Sequence, residues 1–467
     1  MTELALQADE AVKGKPEAFP VPDPRVRTER RAHIITYGCQ MNAHDSDIMM
    51  RTLEGLGYEA THEPDGADLI LVNTCCVRDS AEQKVFGKLG ELKRVKDRNP
   101  GQLLGVMGCL PQEPEAVRRL LRLAPHLDLV LGTNQLGEVG EVLAEAESSP
   151  EPVVHVSEDW ALPPAPPETG RAPLRAYVNI SFGCDNWCTF CIVPHTRGPE
   201  RSRPMSEIVR EVESLVTRGT REVTLLGQNV NSYGHDLMDP VGFEDLLAAL
   251  DQIPDLWRIR YTSPHPADFT PRLVSRIAQS RAVCEQFHMP LQSGSNRVLA
   301  RMERGYTREG YLSLLEKIRE EVPDAAFSTD IIVGFPGESE AEFEETLDLC
   351  REVGFDRAHT FMYSPRQGTR AAVMPEQVSP FLKRQRLRRL NEVTDRSSLT
   401  RNLAEVGRIR EVLVDGPSKK DPGRLSGRTR QNRIVVFEGP PSLVGELCEV
   451  EIRSANTWTL FGGLPGR

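Results

Sequence analysis

Residues 183–191 read Gly-Cys-Asp-Asn-Trp-Cys-Thr-Phe-Cys, so Cys184, Cys188 and Cys191 stand at the spacing Cys-x3-Cys-x2-Cys. Three thiolates on one short loop hold three irons of a 4Fe–4S cube and leave the fourth iron open to chelate a substrate. A fully ligated cube is better suited to electron transfer. Zinc is the rival, because His195 follows at a spacing that would complete a tetrahedral site. The surroundings of the loop favour iron.

Outward from this loop, residues 173–370 alternate strand and helix. The expected strands are RAYVNIS, EVTLLGQ, WRIRYTS, QFHMPLQ, AFSTDIIVG and RAHTFMY, and an amphipathic helix follows each of the first five. Six strands with right-handed crossovers make a partial or full parallel barrel, whose site lies at the carboxyl ends of the strands. The three-cysteine loop comes directly after the first strand. The other strand ends are polar and glycine-rich, which permits close backbone approach to a ligand. Asp330 and Ser293 are placed to bond a ribose, and Gln228 or Asn229 an amino group.

Residues 30–146 alternate in the same way, with strands HIITYG, ADLILVNT, QLLGVMG and LDLVLGTN. Such near-continuous apolar strands between helices imply an open parallel sheet covered on both faces. Cys39, Cys75 and Cys109 each follow a different strand. Strand carboxyl ends gather along one edge of such a sheet, so the three converge there as a second cluster site. Cys76 adjoins Cys75; neighbours on extended chain point opposite ways, so only one faces the site, and the order TCCVR makes Cys75 the expected ligand. Cys284, Cys350 and Cys448 read as structural.

The flanking segments are simpler. Residues 1–29 are polar and proline-rich and are expected to be a disordered extension. Residues 147–172 read as a proline-rich, acidic linker. From 396 to 465, short strands with glycine turns imply a small antiparallel barrel, following a barrel unit that runs over 173–395. Residues 381–437 carry fifteen Lys and Arg against six Asp and Glu, a local charge of +9 within a chain of net charge −11. That asymmetry is a phosphate-binding signal, and Phe437, Trp458 and Phe461 would supply stacking groups for RNA.

Length and composition fit roughly three domains of an α/β protein. The opening MTELALQADEAVKGK has no apolar core, and no apolar run reaches the about 20 residues of a membrane span. Ten cysteines without a secretion signal point to the cytoplasm and to metal or catalytic roles.

TYGCQMN, NTCCVR, MGCLPQ and GCDNWCTFCIVPHTRGPERSRP, taken together, resemble the radical S-adenosylmethionine methylthiotransferase family. The resemblance covers residues 30–465. It implies an amino-terminal domain with a second 4Fe–4S cluster on Cys39, Cys75 and Cys109. It also implies a central radical barrel of six β/α units with its cluster on Cys184, Cys188 and Cys191, and a carboxyl-terminal TRAM barrel that grips RNA. S-adenosylmethionine would meet Phe190, Gln228, Asn229, Ser293 and Asp330, Phe190 being the aromatic usual before the third cysteine. No catalytic acid or base is implied beyond the cluster ligands, because the difficult chemistry is the cofactor's. LLGQNVNSYG, YTSPHP and GRTRQNRIVVF are most similar to members acting on the isopentenyl-adenosine beside a tRNA anticodon. Siblings acting on threonylcarbamoyl-adenosine or on a ribosomal protein are the alternatives, and a zinc-containing RNA-binding protein is the non-enzyme one. The implied partners are the tRNA anticodon stem-loop, a flavodoxin- or ferredoxin-type electron donor and a sulfur donor, with the protein a monomer. Phe182, His195 and Cys76 depart from the usual family pattern without removing a ligand.

Overall fold

The computed structural model describes residues 30–76, 79–160, 162, 171–238 and 241–466. The expectation for residues 1–29 lies outside them.

The amino-terminal unit is a six-stranded, all-parallel sheet in the order β2-β1-β3-β4-β5-β6. Its strands are β1 Arg30–Thr36, β2 Tyr58–Ala60, β3 Leu69–Thr74, β4 Leu103–Gly108, β5 Leu129–Leu131 and β6 Val153–His155. All six residues of β3 are buried, as expected for a central strand with helices on both faces. Two apolar clusters flank the sheet, one around Leu71, Met49 and Val139, the other around Val72, Leu89 and Leu120. Strands β1, β3 and β4 are adjacent, so the chain segments that leave their carboxyl ends are neighbours. The linker expected from 147 is corrected here. Val153-Val154-His155 pairs with β5, and Val153 is buried. The two valines extend the sheet despite the prolines that flank the run.

The central unit has two three-stranded parallel sheets. One comprises β7 Arg175–Asn179, β10 Glu222–Leu226 and β11 Arg258–Tyr261. The other comprises β12 Gln286–His288, β13 Ala326–Val333 and β14 Arg357–Met362. A single bridge from Ile259 to Val283 links them, giving an incomplete barrel of six strands. A short ribbon, β8 Ser181–Phe182 with β9 Arg201–Ser202, closes the segment 183–200 that contains the cysteine loop. Amphipathic helices such as Met205–Thr217 and Glu340–Val353 cover the outside. The core holds Val178, Leu225, Ile259, Phe287 and Phe327, all at most 1% exposed.

After β14, a 24-residue helix, Pro380–Leu403, packs on the barrel. It runs unbroken through the boundary expected at 395/396. The carboxyl-terminal unit is a closed five-stranded barrel in the order β15-β16-β17-β19-β18. Its strands are β15 Ile409–Pro417, β16 Leu425–Thr429, β17 Ile434–Glu438, β18 Leu447–Ala455 and β19 Thr459–Gly463. One pair, β17 with β19, is parallel, and the others are antiparallel. Phe437 is fully buried in this barrel and stacks on no RNA base, whereas Trp458 is half exposed.

Candidate functional site

One cavity of about 1520 Å³ is lined by residues of all three units. It exceeds the about 300–1,000 Å³ usual for one small molecule, so a cofactor and a substrate group fit together. Cys39, Cys75 and Cys109 line it on one side, and Cys184 and Cys191 on the other.

The loop at 183–191 is held by backbone bonds rather than by regular structure. Cys184 N–H donates to the Gly198 carbonyl (3.1 Å), Thr189 N–H to Met302 (3.1 Å) and Cys191 N–H to Cys188 (3.0 Å). Gly183 has φ +73°, and a Cβ there would lie 1.9 Å from the Pro199 carbonyl oxygen. The third thiol, Cys188, accepts from the buried Arg304 Nη1 at 3.2 Å. Burial pushes Cys184 up to about 12 and Cys191 up to about 11, so both favour the protonated thiol in the metal-free protein.

The second triad is assembled by the sheet. Cys39 stands at the amino-terminal cap of the helix Gln40–Gly55. Gly38, at φ +135°, lets the chain pass Cys75, whose Cβ would be 2.7 Å from a Cβ at 38. Asn42 ties the three ends together. Its Oδ1 accepts from Cys39 N–H (3.3 Å), and its Nδ2 donates to Asn73 Oδ1 (3.2 Å) and the Thr74 carbonyl (3.0 Å). Its Nδ2 also lies 4.0 Å from Cys109 Sγ. Cys109 is lowered to about 6, first by the hydrogen bond from Cys76 and then by the charge of Arg197. Cys76 does not line the cavity but packs against Cys109 and Ile192, with its Sγ 3.6 Å from Thr196 Oγ1.

The remaining expected contacts divide. Phe190, Gln228 and Asp330 line the cavity. Both side-chain polar atoms of Gln228 are buried without a hydrogen-bond partner. Asp330 Oδ2 is 3.3 Å from His288 Nε2. Asn229 and Ser293 do not line it. Asn229 donates to Asp268 at 2.6 Å, and Ser293 Oγ lies against Thr346 Oγ1 at 3.4 Å. Asn42, Arg197 and Arg304 are site residues that the sequence pattern missed. Of these, Asn42 had a usable signal, since it stands three residues after Cys39, where a side chain can reach back to the helix cap.

His195 is exposed and packs edge-on against Trp187, ring centroids 5.6 Å apart. Among the described residues no three His, Cys, Asp or Glu groups gather around one ion position.

The basic run at 381–437 is largely neutralised within the fold. Arg386 pairs with Glu338 (2.8 Å), Arg430 with Glu285 (2.8 Å), and Arg410 and Arg433 with Glu405 and Asp356. The 428–430 carbonyls accept from Arg258 and Arg260, docking the small barrel on the central one. Arg384, Arg388 and Arg396 stay exposed on the long helix. Trp458, with the Arg357 guanidinium 5.8 Å from its ring centroid, lines the cavity mouth. No helix among the described residues is long and apolar enough to cross a membrane.

Comparison with known proteins matches residues 31–132 to the uncharacterized protein family UPF0004, 178–350 to the radical SAM superfamily and 403–464 to the TRAM domain. The tRNA-2-methylthio-N(6)-dimethylallyladenosine synthase of Moorella thermoacetica is 48% identical over 440 residues, spanning 94% of this chain and 99% of the relative. The protein of the same name from Carboxydothermus hydrogenoformans is 48% identical over 437 residues, spanning 93% and 99%. Among solved structures, a radical S-adenosylmethionine methyltransferase from Kitasatospora setae shares the fold. Its TM-score is 0.52 at 14% identity, over 74% of each chain.

Proposed function

The chain belongs to the tRNA-2-methylthio-N(6)-dimethylallyladenosine synthases of the radical S-adenosylmethionine superfamily, and from that premise we propose how its residues divide the work. The enzyme replaces the hydrogen on carbon 2 of N6-dimethylallyl-adenosine in tRNA with a methylthio group. It is a transferase that uses an iron–sulfur cluster and S-adenosylmethionine. The names of its relatives favour this substrate over threonylcarbamoyl-adenosine or a ribosomal protein.

In our reading Cys184, Cys188 and Cys191 hold the radical cluster, and Cys39, Cys75 and Cys109 hold a second one that presents sulfur. A cluster held by Cys184, Cys188 and Cys191 would leave one iron open, and would supply the one-electron chemistry by which S-adenosylmethionine activates carbon 2. The observation that carries the two-cluster reading is that thiols of both triads line the same cavity. Gln228 offers its unpartnered amide to the amino group of the cofactor, and Asp330 its carboxylate to a ribose. Phe190 packs behind the loop with Phe335 and Tyr363 and keeps water from it. The carboxyl-terminal barrel, Trp458 and the exposed arginines of the long helix receive the anticodon stem-loop. A loop base reaches the cavity at lower cost than a paired one. A low-potential electron donor and a separate sulfur donor complete the reaction, and the protein works as a monomer in the cytoplasm.

The test is anaerobic incubation with S-adenosylmethionine, dithionite and tRNA carrying dimethylallyl-adenosine, followed by mass spectrometry of the nucleosides. The expected product gains one methylthio group per tRNA. Equal modification of tRNA lacking the dimethylallyl group would contradict the substrate assignment. Cleavage of S-adenosylmethionine without sulfur insertion in protein loaded with both clusters would contradict the second site's role.

A further inference from the structure

Each triad has one sulfur that accepts a hydrogen bond from a buried arginine. Arg304 Nη1 lies 3.2 Å from Cys188 Sγ, and Arg197 Nε lies 3.3 Å from Cys109 Sγ. Both arginines are nearly inaccessible, at 6% and 7% exposed. A buried guanidinium does not shed its proton, and its burial is costly unless an anion faces it.

The two differ in what balances them. Arg197 has Asp45, also buried, at 2.7 Å. Arg304 Nε donates to the Tyr306 hydroxyl at 3.1 Å, its guanidinium lies by the Tyr306 ring, and Cys191 and His265 are within reach of its charge. No carboxylate pairs with Arg304 among the described residues. The group that Arg304 Nη1 faces is the sulfur of Cys188, and a cluster held there would give the guanidinium an anionic partner. The backbone supports that position. Glu303, at φ +56°, ends the helix Asn296–Met302 in a left-handed turn, and Arg304 follows it directly. Thr189, beside Cys188, is bonded to the last turn of that same helix through Met302 and Arg301.

We infer that Arg304 is a positioning residue that sets the electron affinity of the radical cluster through Cys188, with its positive charge unmatched, whereas Arg197 acts on the second cluster through Cys109 with its charge largely cancelled by Asp45. This rests on the two-cluster reading above. A hydrogen bond and a net positive charge at a ligand sulfur both favour the reduced cluster, so removing them lowers the reduction potential. Each cluster gains one electron from the reductant in this step, and no bond is made or broken. The unbalanced charge at Arg304 makes its effect the larger of the two.

The experiment is a dithionite titration with redox mediators, followed by electron paramagnetic resonance, on cluster-loaded protein without S-adenosylmethionine. Wild type is compared with Arg304→Gln, Arg304→Lys and Arg197→Gln, each with iron measured per chain. The expected result is a downward shift of the first cluster's midpoint in Arg304→Gln, a smaller shift in Arg304→Lys and an unmoved second cluster in both. Arg197→Gln should shift the second cluster alone, by less than Arg304→Gln shifts the first. Unmoved midpoints in fully loaded variants would overturn the inference. So would loss of the first cluster from both Arg304 variants with the second intact, since that marks a purely structural role. About four irons in wild type, instead of about eight, would instead show that the two-cluster reading fails.

Discussion

Thiols of both cysteine triads line one cavity, but the triads are built by opposite means. Residues 183–191 carry three cysteines on a single loop, within the segment 183–200 that the β8–β9 ribbon closes. Cys39, Cys75 and Cys109 come from three strand ends, and they meet because β1, β3 and β4 are neighbours in a parallel sheet. The first is a local motif that any anchored loop presents. The second exists when the sheet has formed, and a network centred on Asn42 fixes it. Damage at one should therefore leave the other standing.

The largest expected break is at the radical loop. Cys184→Ala should abolish 5′-deoxyadenosine formation while the second cluster remains visible by Mössbauer or resonance spectroscopy. Retained 5′-deoxyadenosine would contradict the assignment. Next come the two glycines. Gly183→Ala places a Cβ against backbone, which cannot yield, in a conformation that an L-residue rarely adopts. It should remove most iron from the first site alone. Gly38→Ala presses on Asn42 Oδ1, 2.5 Å away, and on Cys75, and should empty the second site alone. A loss shared equally between sites in either variant would show that the triads are not independent.

Asn42→Leu sharpens the comparison more gently. It strips donors from the Thr74 carbonyl and Asn73 Oδ1 in a fully buried position. An unsatisfied buried group costs about 1–3 kcal/mol. The expected result is a lowered melting temperature with weakened iron uptake at the second triad, and unchanged 5′-deoxyadenosine formation. The smallest effect concerns protons. Cys184, raised to about 12, and Cys191, raised to about 11, are protonated at pH 8, whereas Cys109, lowered to about 6, is already a thiolate. Loading the first site should release more protons than loading the second, read by indicator dye in variants that keep one triad each. Equal release would remove the electrostatic difference. The sign for stability follows from Cys109. Its stabilising ionisation in the metal-free protein is present above the ordinary thiol range and is lost as the pH falls through about 6.

The alternation of apolar strands and helices made the parallel sheet and the partial barrel legible in the sequence, and cysteines after strands marked the edge. Strand β6 was hidden because Val153–His155 is three residues long and sits among prolines. Arg197 and Arg304 were invisible because they lie 88 and 116 positions from the sulfurs they contact. The basic run misled in part. A charge count does not distinguish Arg386, buried against Glu338, from Arg384 in solvent. Periodicity likewise did not tell Phe437, inside the small barrel, from Trp458 at the cavity mouth.

The most direct test of the account is iron and zinc per chain in anaerobically purified protein, for wild type and for the Cys184→Ala, Cys188→Ala, Cys191→Ala triple variant. Two triads holding separate 4Fe–4S clusters predict about eight irons falling to about four. About four irons falling to none would contradict the second site, and zinc in place of iron would contradict both.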